Sequence, residues 1–245
     1  QGAMAQWLSR SEHARLIYND IRDDLLVARI VSSDGKEETV IPVPVQAVHP
    51  DGRTALSLNY KRLWKLRRDY GYAATVQNFS ADLPLDRDGI WHADLTSGQT
   101  RLVITLADLI QIAPRPGIGT SRNKVNHIIY SPSGARCVFM HRWFAENTKF
   151  SRLFIMDSGS FGLKLVLDSG LISHYHWLDE ERLLVYGNPP DGQICYFEIN
   201  VLTGAYKPLG KSVLDRYGDG HPSVSPNKAW ILADTYPDRR FQQRL

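Results

Sequence analysis

Histidine and glutamine side chains recur at matched places ahead of a repeated turn in this chain. Gln46 and His174 lie four residues before that turn, and His127 and His221 lie five residues before it. If the preceding residues form equivalent strands, these nitrogen and oxygen donors sit at nearly one level and suit a divalent metal such as Mn, Ca, Zn or Fe. A one-residue offset reverses the face that a strand residue uses unless a bulge restores it, so structural histidines between strands are the alternative.

A histidine and an arginine stand together at the end of a later apolar run. His141 follows Phe139 and Met140, and Arg142 comes directly after it. An adjacent cation favours the neutral imidazole that a general base needs near neutral pH, so His141 and Arg142 are the predicted catalytic pair. Trp143 comes next and is a predicted substrate contact. A solvent-exposed loop histidine is the alternative for His141.

A basic segment occupies residues 61–68. Arg62, Arg67 and Arg68 are its predicted substrate-binding residues, since a row of cations can hold an acidic polymer. A helix with one solvated face explains the same pattern. Both interpretations stay open from the residues alone.

The turn belongs to a larger unit that recurs along the chain. An apolar strand, a short turn and a second apolar strand occur five times, and the last residues before the turns are Leu8, Pro50, Pro132, Leu178 and Pro226. The intervals are 42, 82, 46 and 48 residues, and three of the four match one blade of a β-propeller. Between these markers two further short strands flank a small-residue turn, which gives four antiparallel strands per unit.

The predicted fold class is therefore all-β, a β-propeller of four-stranded antiparallel blades, with a β-sandwich as the second choice. The 82-residue interval holds one blade and an insertion near residues 60–88. Residues 1–245 are expected to form a single propeller domain of about four and a half blades. Because a propeller hides its edge strands by closing, we expect a segment of a six- to eight-bladed propeller with cut points at both ends.

Composition excludes several classes of protein. The chain has 245 residues, of which 43% are hydrophobic and 22% charged, so it can bury a large core. A net charge of +3 is too small to indicate nucleic-acid binding, and no apolar run is long enough for a membrane span. The first residues lack the charged and apolar regions of a signal peptide, and the compartment, cytoplasmic or periplasmic, stays open.

Three short motifs resemble one family of enzymes. They are Asn-His-Ile-Ile-Tyr-Ser-Pro at residues 126–132 with Phe-Met-His at 139–141, Ser-His-Tyr-His-Trp at 173–177, and Gly-His-Pro at 220–222. This order resembles the oligogalacturonate lyase family of β-propellers and its looser relatives with TolB-like repeats. The resemblance covers roughly residues 120–236. Two departures are an Arg-Trp pair after His141 and a last segment in which only Asp219 accompanies His221.

The resemblance implies a function and roles for the residues named above. It implies a metal-dependent lyase that cleaves uronate-containing oligosaccharides by β-elimination, with manganese the expected metal and calcium or another divalent ion the alternative. His174 and His221 would be metal ligands and His141 the base, while His127 matches a channel position without a named role. The rival prediction is a non-catalytic propeller that binds a glycan or a protein partner in a polysaccharide-handling or envelope system, because fold alone confers no activity.

Overall fold

The computed structural model describes residues 3–8, 14–73, 79–146 and 148–244. Its strands form four antiparallel sheets of four strands and one sheet of two strands. Each sheet is built from strands that follow one another in the chain, and each strand pairs with the next. This meander is the blade of a β-propeller, so the predicted fold class is confirmed.

The first two sheets, blades 1 and 2, come from the first 105 residues. Their first strands are short, and each third strand contains a run of three consecutive buried residues. Blade 1 consists of β1 (Gln6–Trp7), β2 (Arg15–Arg22), β3 (Leu25–Ser32) and β4 (Glu37–Ile41). Blade 2 consists of β5 (Ala47–Val48), β6 (Thr54–Leu58), β7 (Gly89–Asp94) and β8 (Thr100–Thr105).

The later sheets hold most of the predicted site residues. Blade 3 consists of β9 (Arg122–Tyr130), β10 (Arg136–Ala145), β11 (Thr148–Asp157) and β12 (Leu163–Gly170). Blade 4 consists of β13 (Ile172–Trp177), β14 (Arg182–Gly187), β15 (Cys195–Asn200) and β16 (Tyr206–Pro208). The two-stranded sheet, half-blade 5, consists of β17 (Pro222–Val224) and β18 (Ile231–Ala233).

Apolar cores fill the spaces between neighbouring blades. Along β10, Cys137 and Phe139 join the core shared with blade 2, whereas Val138 and Met140 join the core shared with blade 4. This alternation follows from the two-residue period of a strand, since successive side chains point to opposite faces. The two faces of β10 therefore belong to different inter-blade cores. That division decides where His141 and Arg142 point.

The insertion lies between β6 and β7 and folds back against the inner strands. It contains α1 (Tyr60–Leu66) and a 3-10 turn at Arg68–Tyr70. Asn59 caps α1 by accepting a hydrogen bond from the Arg62 amide at 3.0 Å, and it donates to Asp88 at 2.8 Å. The buried Tyr60 hydroxyl donates to the Val45 carbonyl at 3.0 Å. These bonds fix the insertion to blade 2.

A second helix, α2 (Leu106–Ile112), leads from blade 2 to blade 3. It was not predicted from the repeat, yet its start carries a capping box, in which Thr105 and Asp108 bond to each other's backbone amides. Leu106 and Leu109 bury one face of the helix in the core between blades 2 and 3. None of the helices in the described ranges is long and apolar enough to cross a membrane.

Candidate functional site

The inner strands of blades 3 and 4 and half-blade 5 bring three imidazoles into one row. The ring centroids of His127 and His174 are 5.8 Å apart, and those of His174 and His221 are 4.2 Å apart. His174 is 5% exposed, whereas the His221 side chain is 59% exposed. Three of the four residues that were placed at one level from the sequence therefore lie side by side. We call His127, His174 and His221 the imidazole row.

A β-bulge places His127 in this row. On β9, Asn126 pairs with Met140 and Ile129 pairs with Val138, so two residues of β9 face one residue of β10. His127 itself has a φ of +56°, in the left-handed region. A bulge shifts the face that the following residues use, which compensates for the one-residue offset between His127 and His174 in the sequence.

Carboxylates orient the other two imidazoles. Asp219 Oδ1 lies 2.9 Å from His174 Nδ1, and Asp234 Oδ1 lies 3.0 Å from His221 Nδ1. A carboxylate only accepts hydrogen bonds, so each Nδ1 carries the proton and each Nε2 is left as the accepting nitrogen. The Tyr236 hydroxyl is 3.5 Å from His174 Nε2. The row thus presents basic nitrogens held in fixed orientations.

Tyr70, from the insertion, joins the imidazole row to a group of cations. Its ring centroid lies 5.3 Å from that of His127, 4.5 Å from Lys124 Nζ and 4.6 Å from Arg67 Cζ. Its hydroxyl accepts a 3.5 Å hydrogen bond from Arg142. We call Tyr70, Arg67, Lys124 and Arg142 the Tyr70 cluster.

Two cations of this cluster are buried. Arg142 is 2% exposed and Lys124 is 1% exposed, and the two residues pair across β9 and β10. Arg142 donates to the Ile172 carbonyl at 3.1 Å and to Ser151 Oγ at 3.3 Å. Within the described ranges, no carboxylate lies within ion-pair distance of either cation. Burial of a charge without an ion-pair partner costs several kcal/mol.

The positive surroundings also act on the nearest imidazole. Burial, followed by the charge of Arg142, lowers the pKa of His127 to about 3. His127 is therefore neutral at physiological pH. Its Nδ1 lies 2.6 Å from Asn126 Nδ2, which can donate to it.

Gln46 lies beside the row rather than in it. Its Oε1 accepts a 2.9 Å hydrogen bond from the Tyr60 hydroxyl. Gln46, His127 and Tyr70 line one cavity of about 200 Å³. A larger open cleft of about 820 Å³, which includes Gln46, His127 and the exposed Trp7, runs along the inner strands of blades 1 to 3. The site therefore continues into a groove.

The manganese that the resemblance implies is only partly matched by these residues. His174 and His221 have the carboxylate partners on Nδ1 that metal-bound imidazoles commonly have. However, the described residues contain no group of three His, Cys, Asp or Glu side chains that could hold a metal ion. Asp219, which accompanies His221 in the last segment, accepts hydrogen bonds from His174 and the Ser173 hydroxyl. The residues described here do not fit a complete manganese site.

His141 and Trp143 lie on the other face of β10, away from Arg142. His141 is fully buried, and its Nε2 lies 2.9 Å from Asn123 Oδ1. Trp143 is 3% exposed. Its ring stacks on that of Phe150 with the centroids 5.2 Å apart, and Arg152 Cζ lies 4.5 Å from the Trp143 centroid. The alternation of side chains along the strand places both residues on the face opposite Arg142. The roles predicted for His141 and Trp143 stay predictions.

The three predicted arginines of the basic segment separate in the structure. Arg62 is held inside the insertion, where it donates to Asp88 and to the Leu83 carbonyl, and its substrate-binding role stays a prediction. Arg67 pairs with Asp69 at 2.7 Å and reaches the Tyr70 cluster. Arg68 is exposed, with its Cζ 5.8 Å from the Trp64 ring centroid. Of the three, Arg67 alone joins the site.

Sequence reasoning missed Lys124 and Tyr236, and it did not assign Tyr70 to the site. Lys124 lies in a strand with Val125 and Ile128, and the strand pattern alone does not distinguish a buried cation from a solvated one. Tyr70 stands six residues from Trp64 in the insertion, whose placement over blade 3 depends on long-range contacts.

The burial of His141 predicts a loss of stability in acid. Burial, followed by the charge of Arg152, lowers its pKa from 6.5 to about 3. The unfolded chain therefore binds a proton at this residue below about pH 6.5 that the folded chain does not bind. We expect the free energy of unfolding to fall by up to about 1.4 kcal/mol per pH unit between pH 6 and 4 because of this group.

Urea unfolding at a series of pH values measures this dependence. His141→Gln keeps a hydrogen-bonding group but cannot titrate, so the variant should show a shallower slope than the wild type. Equal slopes for the wild type and His141→Gln would contradict the assignment.

Solved structures with a similar fold are β-propeller proteins. A prolyl endopeptidase structure matches with a TM-score of 0.51 and 14% identity over 90% of this chain and 30% of that chain. TolB from Acinetobacter baumannii matches with a TM-score of 0.49 and 16% identity over 90% of this chain and 46% of that chain. An oligogalacturonate lyase in complex with manganese has a TM-score of 0.40 and 12% identity over 90% of this chain and 70% of that chain.

The sheets and the match to the prolyl endopeptidase structure define the class of the protein as a β-propeller. This chain spans about half the length of TolB, and about a third of an acylaminoacyl peptidase that it also matches. No protein-family model matches the sequence, and no curated protein matches it.

Proposed function

We propose that this propeller binds an acidic oligosaccharide through a carboxylate at the Tyr70 cluster. The observation that carries the proposal is the pair of buried cations, Lys124 and Arg142, which have no carboxylate partner among the described residues. An anionic ligand would supply the missing charge. Arginine in particular suits carboxylates, because its planar donors match the two oxygens.

The surroundings support a sugar as the carrier of that carboxylate. Tyr70 and Tyr236 offer rings and hydroxyl groups beside the imidazole row. The cleft of about 820 Å³ continues from His127 and Gln46 to the exposed ring of Trp7. A groove that begins at the imidazole row and ends at an aromatic ring fits several sugar units, of which one carries the carboxylate.

β-Elimination on the bound uronate is the second candidate function, and the orientation of His174 favours it. In that reaction a base removes the proton at C5, the C4–C5 double bond forms, and the oxygen at C4 leaves. His174 Nε2 would accept the proton, because Asp219 holds Nδ1 protonated at 2.9 Å and stabilises the imidazolium that results. The Tyr236 hydroxyl, 3.5 Å from the same nitrogen, would donate a proton to the leaving oxygen.

Arg142 would serve both candidates. Its fixed positive charge beside the substrate carboxylate would stabilise the enediolate that develops when the C5 proton leaves. Manganese belongs to the proposal only as the resemblance implies it, and no step above depends on it. Metal content by mass spectrometry of the wild type and His174→Ala addresses it separately: a stoichiometric metal that His174→Ala loses would assign a ligand role to His174.

Calorimetric titration with trigalacturonate tests the binding proposal. Its fully methyl-esterified form is the matched control, since it keeps the sugar rings and lacks the charges. We expect the acid to bind at least about 30-fold more tightly than the ester, because removing one member of a desolvated charge pair costs 2 kcal/mol or more. Equal affinities, or no binding of the acid, would overturn the proposal.

Ultraviolet absorbance of the unsaturated product tests the reaction. Under the lyase candidate, absorbance rises with the wild type and stays flat with His174→Gln, which still binds the acid. Binding without product in the wild type would leave a glycan-binding propeller as the function.

A further inference from the structure

We propose that Lys124 is the residue that receives the carboxylate of the ligand, and that it takes up a proton as the carboxylate binds. The inference rests on the proposed function and adds the regulation of the same site. Lys124 stands apart from the other cations of the Tyr70 cluster because its nitrogen has no polar contact of any kind in the described ranges.

The surroundings of the amine are aromatic. Lys124 Nζ lies 4.5 Å from the Tyr70 ring centroid and 5.8 Å from that of Phe144. The residue is 1% exposed, so water replaces neither of these contacts. Ring faces stabilise a desolvated ammonium group by less than its hydration does. The site is therefore shaped for an ammonium group and lacks the anion that would complete it.

Charges that face Lys124 come from three elements. Arg142 on β10 and Lys149 on β11 repel the ammonium form, and so does Arg67 from the insertion. Asp69, also from the insertion, attracts it, but Asp69 is engaged by Arg67 at 2.7 Å. The nearby rings are those of Tyr70 and Phe144. The balance of these charges is positive.

Burial, followed by the charges of Arg142, Arg67 and Lys149, lowers the pKa of Lys124 to about 7. At pH 8 the free site therefore holds mostly the neutral amine. A carboxylate bound at Nζ reverses both causes, because it supplies an acceptor and a negative charge that favour the ammonium form. Binding of the ligand and binding of a proton then assist each other, as linkage requires.

This arrangement gives two neighbouring cations different tasks. Arg142 donates to the carbonyl of Ile172 at 3.1 Å, so it is a constant part of the site. Lys124 changes its charge with the ligand. We expect affinity for the acid to be flat below pH 6.5 and to fall by about tenfold per pH unit above pH 7.5.

Calorimetry of trigalacturonate binding in two buffers of different ionisation enthalpy, phosphate and Tris, counts the protons. At pH 8 we expect an uptake of about 0.9 proton per ligand, since about nine-tenths of Lys124 is neutral there. Lys124→Arg should bind the acid with little dependence on pH and with an uptake near zero, because arginine is always charged. Lys124→Met should lose most of the affinity.

Control variants separate the outcomes. Lys65→Met removes an exposed lysine of the insertion and should keep the wild-type uptake. Binding of the acid with no proton uptake at pH 8, or an uptake that survives in Lys124→Arg, would overturn the role of Lys124 and leave the proposed function standing. Absence of binding by the wild type at pH 6 would overturn both.

Discussion

Arg142→Met is expected to weaken binding of trigalacturonate by about 100-fold. Methionine fills a similar volume but removes the charge opposite the ligand carboxylate, and truncation of one member of a desolvated charge pair costs 2–5 kcal/mol. The variant also leaves the Ile172 carbonyl without its 3.1 Å donor, so a lower free energy of unfolding, by about 2 kcal/mol, should accompany the loss. Calorimetric titration and urea unfolding measure the two effects.

Arg152→Met is the matched control for Arg142→Met. Arg152 is equally buried and lies on the neighbouring strand β11, but it faces Trp143 and lies 3.7 Å from Asp168. Its loss should reduce stability to a similar degree and leave affinity for the acid within about threefold of the wild type. If both variants lose affinity equally, the effect belongs to the fold and the role of Arg142 is wrong.

Asp88→Ala is expected to destabilise the protein by about 3–5 kcal/mol and to release the insertion from blade 2. Asp88 is 1% exposed and accepts hydrogen bonds from Arg62 and from Asn59, so its removal leaves a guanidinium group and an amide unpaired in the interior. Because the insertion carries Tyr70 and Arg67, affinity for the acid should fall as well. Urea unfolding and limited proteolysis within residues 60–88 measure the two consequences.

Asp82→Ala is the control for Asp88→Ala, because it removes an exposed ion pair of the insertion instead of a buried one. Asp82 pairs with Lys65 at 2.5 Å, and its side chain is 74% exposed. Exposed pairs contribute at most about 1 kcal/mol, so stability, proteolysis and affinity should stay close to the wild type. A loss with Asp82→Ala as large as that with Asp88→Ala would mean that burial is not what anchors the insertion.

The acidic character of the expected ligand connects these predictions. Arg142 and Lys124 meet at Tyr70, and Tyr70 reaches them only because Asp88, Asn59 and Tyr60 hold the insertion in place. Asp88→Ala, which is not one of the cations, should therefore change binding only by displacing the insertion. The comparison of Asp88→Ala with Arg142→Met separates loss of position from loss of charge.

The repeat was readable in the sequence because it depends on local chemistry. Alternating apolar residues and turns rich in Pro, Gly and Asp specify strands and their ends, and a regular interval specifies repeated sheets. The same regularity placed His127, His174 and His221 on equivalent inner strands. The bulge at His127, which makes the three rings neighbours, left only a one-residue irregularity in the spacing.

The sequence did not predict which face of β10 each side chain near His141 occupies. His141, Arg142 and Trp143 are consecutive and were assigned together to the site. The structure divides them, because Arg142 points toward blade 4 while His141 and Trp143 point into the core beside Phe154 and Phe150. Both neighbouring cores are apolar, so composition gives no hint of which side leads to the channel.

The sequence by itself determined the blades, their order and the recurrence of histidine on the inner strands, since strand periodicity and turn chemistry act over a few residues. Tertiary structure decided the site. Tyr70 and Lys124 are 54 residues apart in the chain and meet only when the insertion packs on β9. Burial without a counter-ion, the property that gives Lys124 its expected role, arises from that packing and leaves no pattern in the order of residues.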